Sequence, residues 1–202
     1  MVSPVAGLVL AGGQSTRMGQ HKALVEVDGA PLVARACGRL RDICAPIAVS
    51  VRESGPVAEF VVRLRLHAIF DPPAMPVSAL SGIVAGLHWA RSVGAELMLS
   101  IPCDAPFLPA DLPRKLIAAA ADASCAVART SCGVEPLCAV WRTDLAAVLE
   151  AECGSENQSP LHAIVRKAQG AMVDFPDPEA FLNINTPQDV ALAEALIHGR
   201  RA

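Results

Sequence analysis

Two sets of residues in this chain have the types and spacing for phosphate chemistry. The first is the segment LAGGQSTRMGQHK from Leu10 to Lys22, where an apolar run ends and Gly12, Gly13, Arg17 and Lys22 follow. Glycines let backbone N–H groups approach phosphate oxygens with no Cβ in the way, and two fixed cations offset phosphoryl charge, so the segment reads as a triphosphate cradle with Leu10 and Ala11 at its entrance. The second set is dispersed along the chain: Ser50 with Arg52, then Asp71, then Asp104, each just beyond an apolar run. Asp104 beside a triphosphate loop is where Mg²⁺ would bridge protein and phosphate, because that ion takes one or two carboxylates plus substrate oxygens. In PCDAPF, Asp104 reads equally as a turn cap, and Asp71 before Pro72-Pro73 reads as a turn aspartate or as a hydrogen-bond partner of a nucleotide.

The spacing excludes the two commonest phosphate loops. A Walker A loop needs adjacent Gly and Lys followed by Ser or Thr, whereas Gln20 and His21 separate Gly19 from Lys22, and Ala23 follows. The dinucleotide fingerprint fails as well, because Gly12 and Gly13 are contiguous and no third Gly stands three residues on. His21 adjoins Lys22 and is within reach of the same phosphate. His88, beside the apolar face of its helix, reads as a structural histidine with its hydrogen bonds satisfied. No Ser/His/Asp set assembles, so covalent catalysis is not indicated.

The elements that must position these residues follow from the apolar periodicity. Strands are expected at Val5 to Ala11, Ile47 to Val51, His67 to Phe70, Glu96 to Ile101, Cys125 to Ala128, Leu137 to Val140 and Met172 to Phe175. A short extended piece, Ala23 to Val27, meets the turn Asp28-Gly29. Helices are expected from Pro31 to Leu40, Val57 to Leu64, the segment capped by Ser78, Pro109 to Ala120, Asp144 to Ala151, Pro160 to Lys167 and Thr186 to Leu196. This βαβ alternation predicts an α/β fold, a doubly wound, mostly parallel sheet with helices on both faces. Ligands of such sheets sit outside the C-terminal ends of the strands, and the glycine loop, Ser50, Asp71 and Asp104 all fall at that edge.

Composition narrows the function classes. At 202 residues, with no linker or repeat, one domain over 1–202 is expected. Hydrophobic residues reach 52%, yet Pro, Gly and charges break the apolar runs well short of the ~20 residues that span a bilayer. The start, MVSPVAGLVLAGG, lacks a basic region and reads as a first strand, not a signal peptide, so a cytoplasmic protein with no membrane partner is expected. Net charge is −3 and the basic residues are scattered apart from Arg200 and Arg201, which argues against a nucleic-acid surface. Seven cysteines without a CxxC pair argue against structural zinc and read as small buried hydrophobes.

LAGGQSTRMGQHKALVEVDGAPLV resembles the signature of nucleotidyltransferases that activate small molecules with NTPs. With SALSGIVAGL from Ser78, IPCDAPFLPADL from Ile101 and FLNINTPQDVALAE from Phe181, nearly the whole chain resembles the bacterial molybdenum cofactor guanylyltransferases. The resemblance implies a Rossmann-like fold and transfer of GMP from Mg-GTP to molybdopterin carrying molybdenum, with transient contacts to other proteins of that biosynthesis. It implies that Leu10, Ala11, Gly12 and Gly13 contact GTP and that Lys22 binds phosphate, with Arg17 as the loop's basic residue. Asp71 and Ser50 would bind the nucleotide, Ser50 standing where the family places Asn, and Asp104 would bind both the nucleotide and Mg²⁺. Catalysis would then fall to Arg17, Lys22 and Asp104. His21 replaces the family's Asp, and Ser78-Ala79-Leu80-Ser81-Gly82 replaces Gly-Pro-Leu-Ala-Gly; Ser50 and that segment leave a molybdenum cofactor cytidylyltransferase or other small-molecule nucleotidyltransferase as the alternative, and a non-catalytic nucleotide-binding or cofactor-delivery module as the second. The pterin acceptor could meet residues between Asn157 and Arg166 or the NINTP loop, where Asn183 and Asn185 could present amides and Asn185 or Thr186 reads equally as a helix cap.

Overall fold

A computed structural model describes residues 4–12, 21–52, 54–72, 75–76, 78–154 and 159–201. The first apolar run forms β1 (Val5–Leu10); past the glycine loop, Lys22–Leu24 make a 3₁₀ turn. Two short antiparallel strands, β2 (Glu26–Val27) and β3 (Ala30–Pro31), then flank Asp28-Gly29. Both turn residues have positive φ, 52° and 72°, which a two-residue hairpin of the primed type requires. The extended piece expected from Ala23 is therefore partly helical, and only Glu26 and Val27 pair as strand.

Next come α1 (Leu32–Leu40), β4 (Ile47–Val51), α2 (Pro56–Arg63), β5 (His67–Phe70), α3 (Ala79–Ser92) and β6 (Leu97–Pro102). The second half holds α4 (Leu112–Ala119), β7 (Cys125–Thr130), β8 (Gly133–Arg142), α5 (Ala146–Cys153), α6 (Leu161–Lys167), β9 (Ala171–Asp174) and α7 (Pro187–Arg201). One seven-stranded sheet runs in the order β5-β4-β1-β6-β8-β7-β9. Its strands pair in parallel except β8, which is antiparallel to both β6 and β7. A mostly parallel sheet is what the alternation of elements predicts, and β8 is its one antiparallel member. The exception arises because β7 and β8 are joined by a tight turn ending at Gly133 (φ 140°), and so short a connection can only join antiparallel strands. β8 is also longer than the expected Leu137 to Val140, since Gly133, Val134 and Glu135 pair with Thr130, Arg129 and Ala128 across the turn, ahead of a shift in register.

β1, β4 and β6 are buried almost end to end, as a strand covered on both faces must be. Alternate residues feed separate cores. Val5, Val9, Val49, Leu99 and Ile101 pack with α1, α2 and α4 on one face, and Ala6, Leu8, Ala48 and Met98 pack with α3, α5 and α6 on the other. Six of the seven cysteines are buried, and burial pushes the thiols of Cys37 and Cys44 up to about 11 and about 12, so they pack as neutral apolar groups. Among the described residues no helix is long and apolar enough to cross a membrane.

α3 approaches β1 so closely that a Cβ on Gly86 would stand 2.5 Å from Leu8 Cδ2 and 3.0 Å from Met98 Sδ. Leu8 and Met98 are fully buried and have nowhere to retreat. Gly86→Ala should therefore destabilise the fold by about 1–3 kcal/mol through overpacking, despite the better helix propensity of Ala. A urea midpoint equal to that of the unsubstituted protein would refute this close packing.

Candidate active site

The C-terminal ends of β1, β4, β5 and β6 are tied into one edge by their backbones. Ala11 N donates to Ser50 O at 2.9 Å, and Cys103 N donates to Leu10 O at 3.0 Å. A cavity of about 350 Å³ opens there, within the size range of small-molecule sites. Leu10, Ala11, Gly12, Lys22, Ser50, Asp71 and Asp104 all line it, whereas Arg52, expected beside Ser50, does not. Gly13 and Arg17 lie outside the described residues. His21 is exposed and does not line the cavity. His88 lies on the surface 3.0 Å from Glu150, its needs met there, but away from the apolar face.

At the mouth, Lys22 Nζ donates to Asp104 Oδ2 and to Asn185 Oδ1, the latter at 2.6 Å. The Lys22 and Asp104 side chains are only 15% and 20% exposed, so this pair is less screened than a surface ion pair. Asn185 is held by the chain around it. Asp189 Oδ2 accepts from the backbone N–H groups of Asn185 and Thr186, both at 2.8 Å, while Thr186 Oγ1 accepts from Asp189 N. Those donors keep the Asp189 carboxyl below its usual range. Thr186 is thus the cap of α7, and the Asn185 side chain is left to serve the site. Ile184 N also donates to Asp104 O at 2.8 Å, fixing the NINTP loop against the strand end that carries Asp104.

The inner wall is built by the start of α3. Ser78 and Ser81 form a reciprocal capping box: Ser81 N donates to Ser78 Oγ and Ser78 N to Ser81 Oγ. The Ser81 hydroxyl also lies 3.1 Å from Asp71 Oδ2. Gly82 lets α3 come this near, since a Cβ there would be 2.6 Å from Ser50 Oγ. Among the described residues a Cβ on Gly12, by contrast, would meet only Arg52 N at 3.7 Å.

Asp71 Oδ1 is buried and has no hydrogen-bond partner among the described residues. Burial pushes the Asp71 carboxyl above its usual value of 3.8, against the opposing pull of Ser81, Ser50 and the Arg52 charge. A carboxyl with a raised folded pKa binds its proton more tightly in the native state. It costs no stability below 3.8 and weakens the fold as pH rises through the higher folded value. Asp71→Asn should therefore raise the melting temperature at neutral pH, and the gain should vanish below pH 3.8. A variant that melts lower at neutral pH would contradict the strained carboxylate.

Sequence reasoning did not foresee the Ser81 bond to Asp71 or the Asn185 amide on Lys22. Ser-x-x-Ser at 78–81 is the one local signal for the first. The second joins residues 163 apart and has none.

Residues 7–171 match the family described as the MobA-like NTP transferase domain. The chain is 37% identical over 192 residues to the molybdenum cofactor guanylyltransferase of Cereibacter sphaeroides, covering 95% of this chain and 96% of that one. It is 36% identical over 193 residues to the enzyme of that name from Rhodobacter capsulatus, covering 94% and 95%. Among solved structures it resembles molybdopterin-guanine dinucleotide biosynthesis protein A from Archaeoglobus fulgidus, with a TM-score of 0.75 at 21% identity over 96% of this chain and 99% of that one. It also resembles a CMP:2-keto-3-deoxy-manno-octonic acid synthetase complexed with CTP, with a TM-score of 0.78 at 14% identity over 98% and 100%. At those identities the structural likenesses speak for the fold, a Rossmann-like nucleotidyltransferase sheet.

Proposed function

The chain belongs to the MobA-like NTP transferase family and is a nucleotidyltransferase, and from that premise we propose that it moves GMP from GTP to molybdopterin carrying molybdenum. The products are the guanine dinucleotide cofactor and pyrophosphate. The observation that carries this reading is the convergence of Lys22, Asp104 and Asn185 at the mouth of a cavity lined further in by Ser50 and Asp71. We read residues 1–202 as one catalytic unit working in the cytoplasm.

The donor set fits Mg²⁺. A carboxylate oxygen of Asp104 and the amide oxygen of Asn185 already converge on one cationic group, and both are the hard oxygen donors that ion takes. When bound, Mg²⁺ supplies neutralisation of the triphosphate and of the departing pyrophosphate. Lys22 is held by Asp104 and Asn185 until phosphate oxygens compete for its ammonium, and its exchange of partners frees both oxygens. The backbone of Leu10, Ala11 and Gly12 lines the triphosphate, and Gly12 keeps that approach open. Arg17, outside the described residues, adds the loop's second cation. Asp71 and Ser50 take the nucleoside, and a nucleoside N–H or O–H supplies the partner that Asp71 Oδ1 lacks.

The chemistry needs no general base. The acceptor phosphate is anionic at neutral pH, and its oxygen forms a bond to the α-phosphorus as the bond from that phosphorus to the bridging oxygen breaks. Pyrophosphate leaves with the electron pair, and Lys22 stabilises the charge that grows on it.

The test is a thermal-shift titration with GTP, CTP, ATP and UTP in the presence of Mg²⁺, followed by pyrophosphate release with the acceptor. GTP at about a hundred times its dissociation constant should stabilise by ~2.7 kcal/mol, and pyrophosphate should appear only with acceptor present. A shift with CTP instead would make the enzyme a cytidylyltransferase, and GTP stabilisation without pyrophosphate would leave a binding module.

A further inference from the structure

A second and larger cavity, about 570 Å³, lies between α1, the 106–111 segment, α4 and α7, and shares no lining residue with the nucleotide cavity. Arg35 and Arg39, one turn apart on α1, line it together with Phe107, Phe175 and Ile197. The same two arginines also line a smaller hollow of about 240 Å³ against Cys103 and Ala105, on either side of Asp104 in the chain.

Both guanidiniums are half-buried, and among the described residues neither is hydrogen-bonded to a carboxylate. Arg35 Nη1 donates to Val27 O at 3.2 Å and forms a long ion pair with Asp28 Oδ2 at 3.8 Å, while Arg35 Nε is buried with no acceptor among the described residues. Arg39 Nη2 donates to Pro106 O at 3.1 Å. Burial and the adjacent Arg35 charge pull the Arg39 guanidinium below its usual value. The acidic groups facing the cavity have other work: Asp111 is paired with Lys115 at 2.7 Å, and Asp177 Oδ1 accepts from Glu179 N at 3.0 Å. Two guanidiniums in a partly dry cleft, matched by the one Asp28 carboxylate at 3.8 Å and with one donor unmet among the described residues, keep a positive charge that an anion would offset, and the guanidinium fork suits phosphate or carboxylate. The rings of Phe107 and Phe175 and the Ile197 side chain supply apolar wall beside them.

We propose that this cleft is a second small-molecule site, which takes an organic anion bearing an aromatic or aliphatic body through Arg35 and Arg39. An occupant sits directly behind the strand end that carries Asp104. The Arg39 bond to Pro106 O, two residues beyond Asp104, gives binding there a route to the nucleotide cavity.

The probe is phenyl phosphate, titrated into the whole chain by amide NMR, with inorganic phosphate and benzoate as companion arms. Phenyl phosphate should saturate and shift the amides of residues 35–39 and 105–111, and the response should persist when Mg-GTP fills the nucleotide cavity. It should bind about tenfold more tightly than inorganic phosphate if the apolar wall contributes, and benzoate should report whether a carboxylate serves as well as a phosphate. Arg39→Gln and Arg35→Gln should each weaken binding about tenfold, with Arg39→Lys between them and the unsubstituted chain. Ala110→Trp, at an exposed lining residue, should block the cleft while keeping both arginines, and it decides the matter should an arginine variant fail to fold. The proposal is overturned if phenyl phosphate does not saturate, if Mg-GTP displaces it, or if these variants bind it as the unsubstituted chain does.

Discussion

Asp104→Ala should reduce kcat/KM at least about a thousandfold, a loss of about 4 kcal/mol of transition-state stabilisation, while the fold survives. The side chain lies on a strand end whose backbone is held independently, by Cys103 N on Leu10 O and by Ile184 N on Asp104 O, so truncation removes the carboxylate without releasing the loop. Among the described residues no cluster of three or more His, Cys, Asp or Glu side chains could take over a metal. Asp104→Asn separates charge from shape, since it keeps an oxygen toward Lys22 and loses the anion. Steady-state turnover with a circular dichroism melt checks both variants. Turnover near that of the unsubstituted enzyme in Asp104→Ala would remove Asp104 from the metal and from catalysis.

Lys22→Ala should cost on the order of 10²-fold in turnover, the loss typical of one preorganised electrostatic stabiliser. Lys22 is already at the cavity mouth before a triphosphate arrives, placed by the 3₁₀ turn Lys22–Leu24 and by Asp104 and Asn185, so that only its partners change on binding. The double variant should be far less impaired than the product of the two single losses, since Lys22 and Asp104 act as one unit. Pre-steady-state kinetics with GTP would read this. Unchanged binding and unchanged turnover in Lys22→Ala would leave Lys22 a structural partner of Asp104.

Much of the site was legible because strand chemistry is local. A run such as VAGLVL before glycines, or LMLSI before PCDAP, states both the strand and its end, and in a parallel sheet strand ends are where ligands go. That reasoning placed Leu10, Gly12, Ser50, Asp71 and Asp104 on one edge. His21, weighed as a phosphate contact from its place beside Lys22, is exposed and does not line the cavity. Likewise β8 was legible only at Leu137 to Val140, since Gly133 to Glu135 become strand by pairing with β7 across a tight turn, and Gly and Glu have little strand preference of their own.

By itself the sequence determined the α/β alternation, the phosphate loop and the acidic strand ends, because backbone propensity, apolar period and turn chemistry act over a few residues. The tertiary structure alone decided the reversal of β8, the binding of Lys22 by Asp104 and Asn185 across 82 and 163 residues, and the orphan oxygen of Asp71. It also decided that Arg35 and Arg39 share a cleft instead of facing open solvent. These depend on which surfaces meet when the two cores close. Burial then sets their energies, because charges that are nearly cost-free in water demand partners once the sheet and helices exclude it.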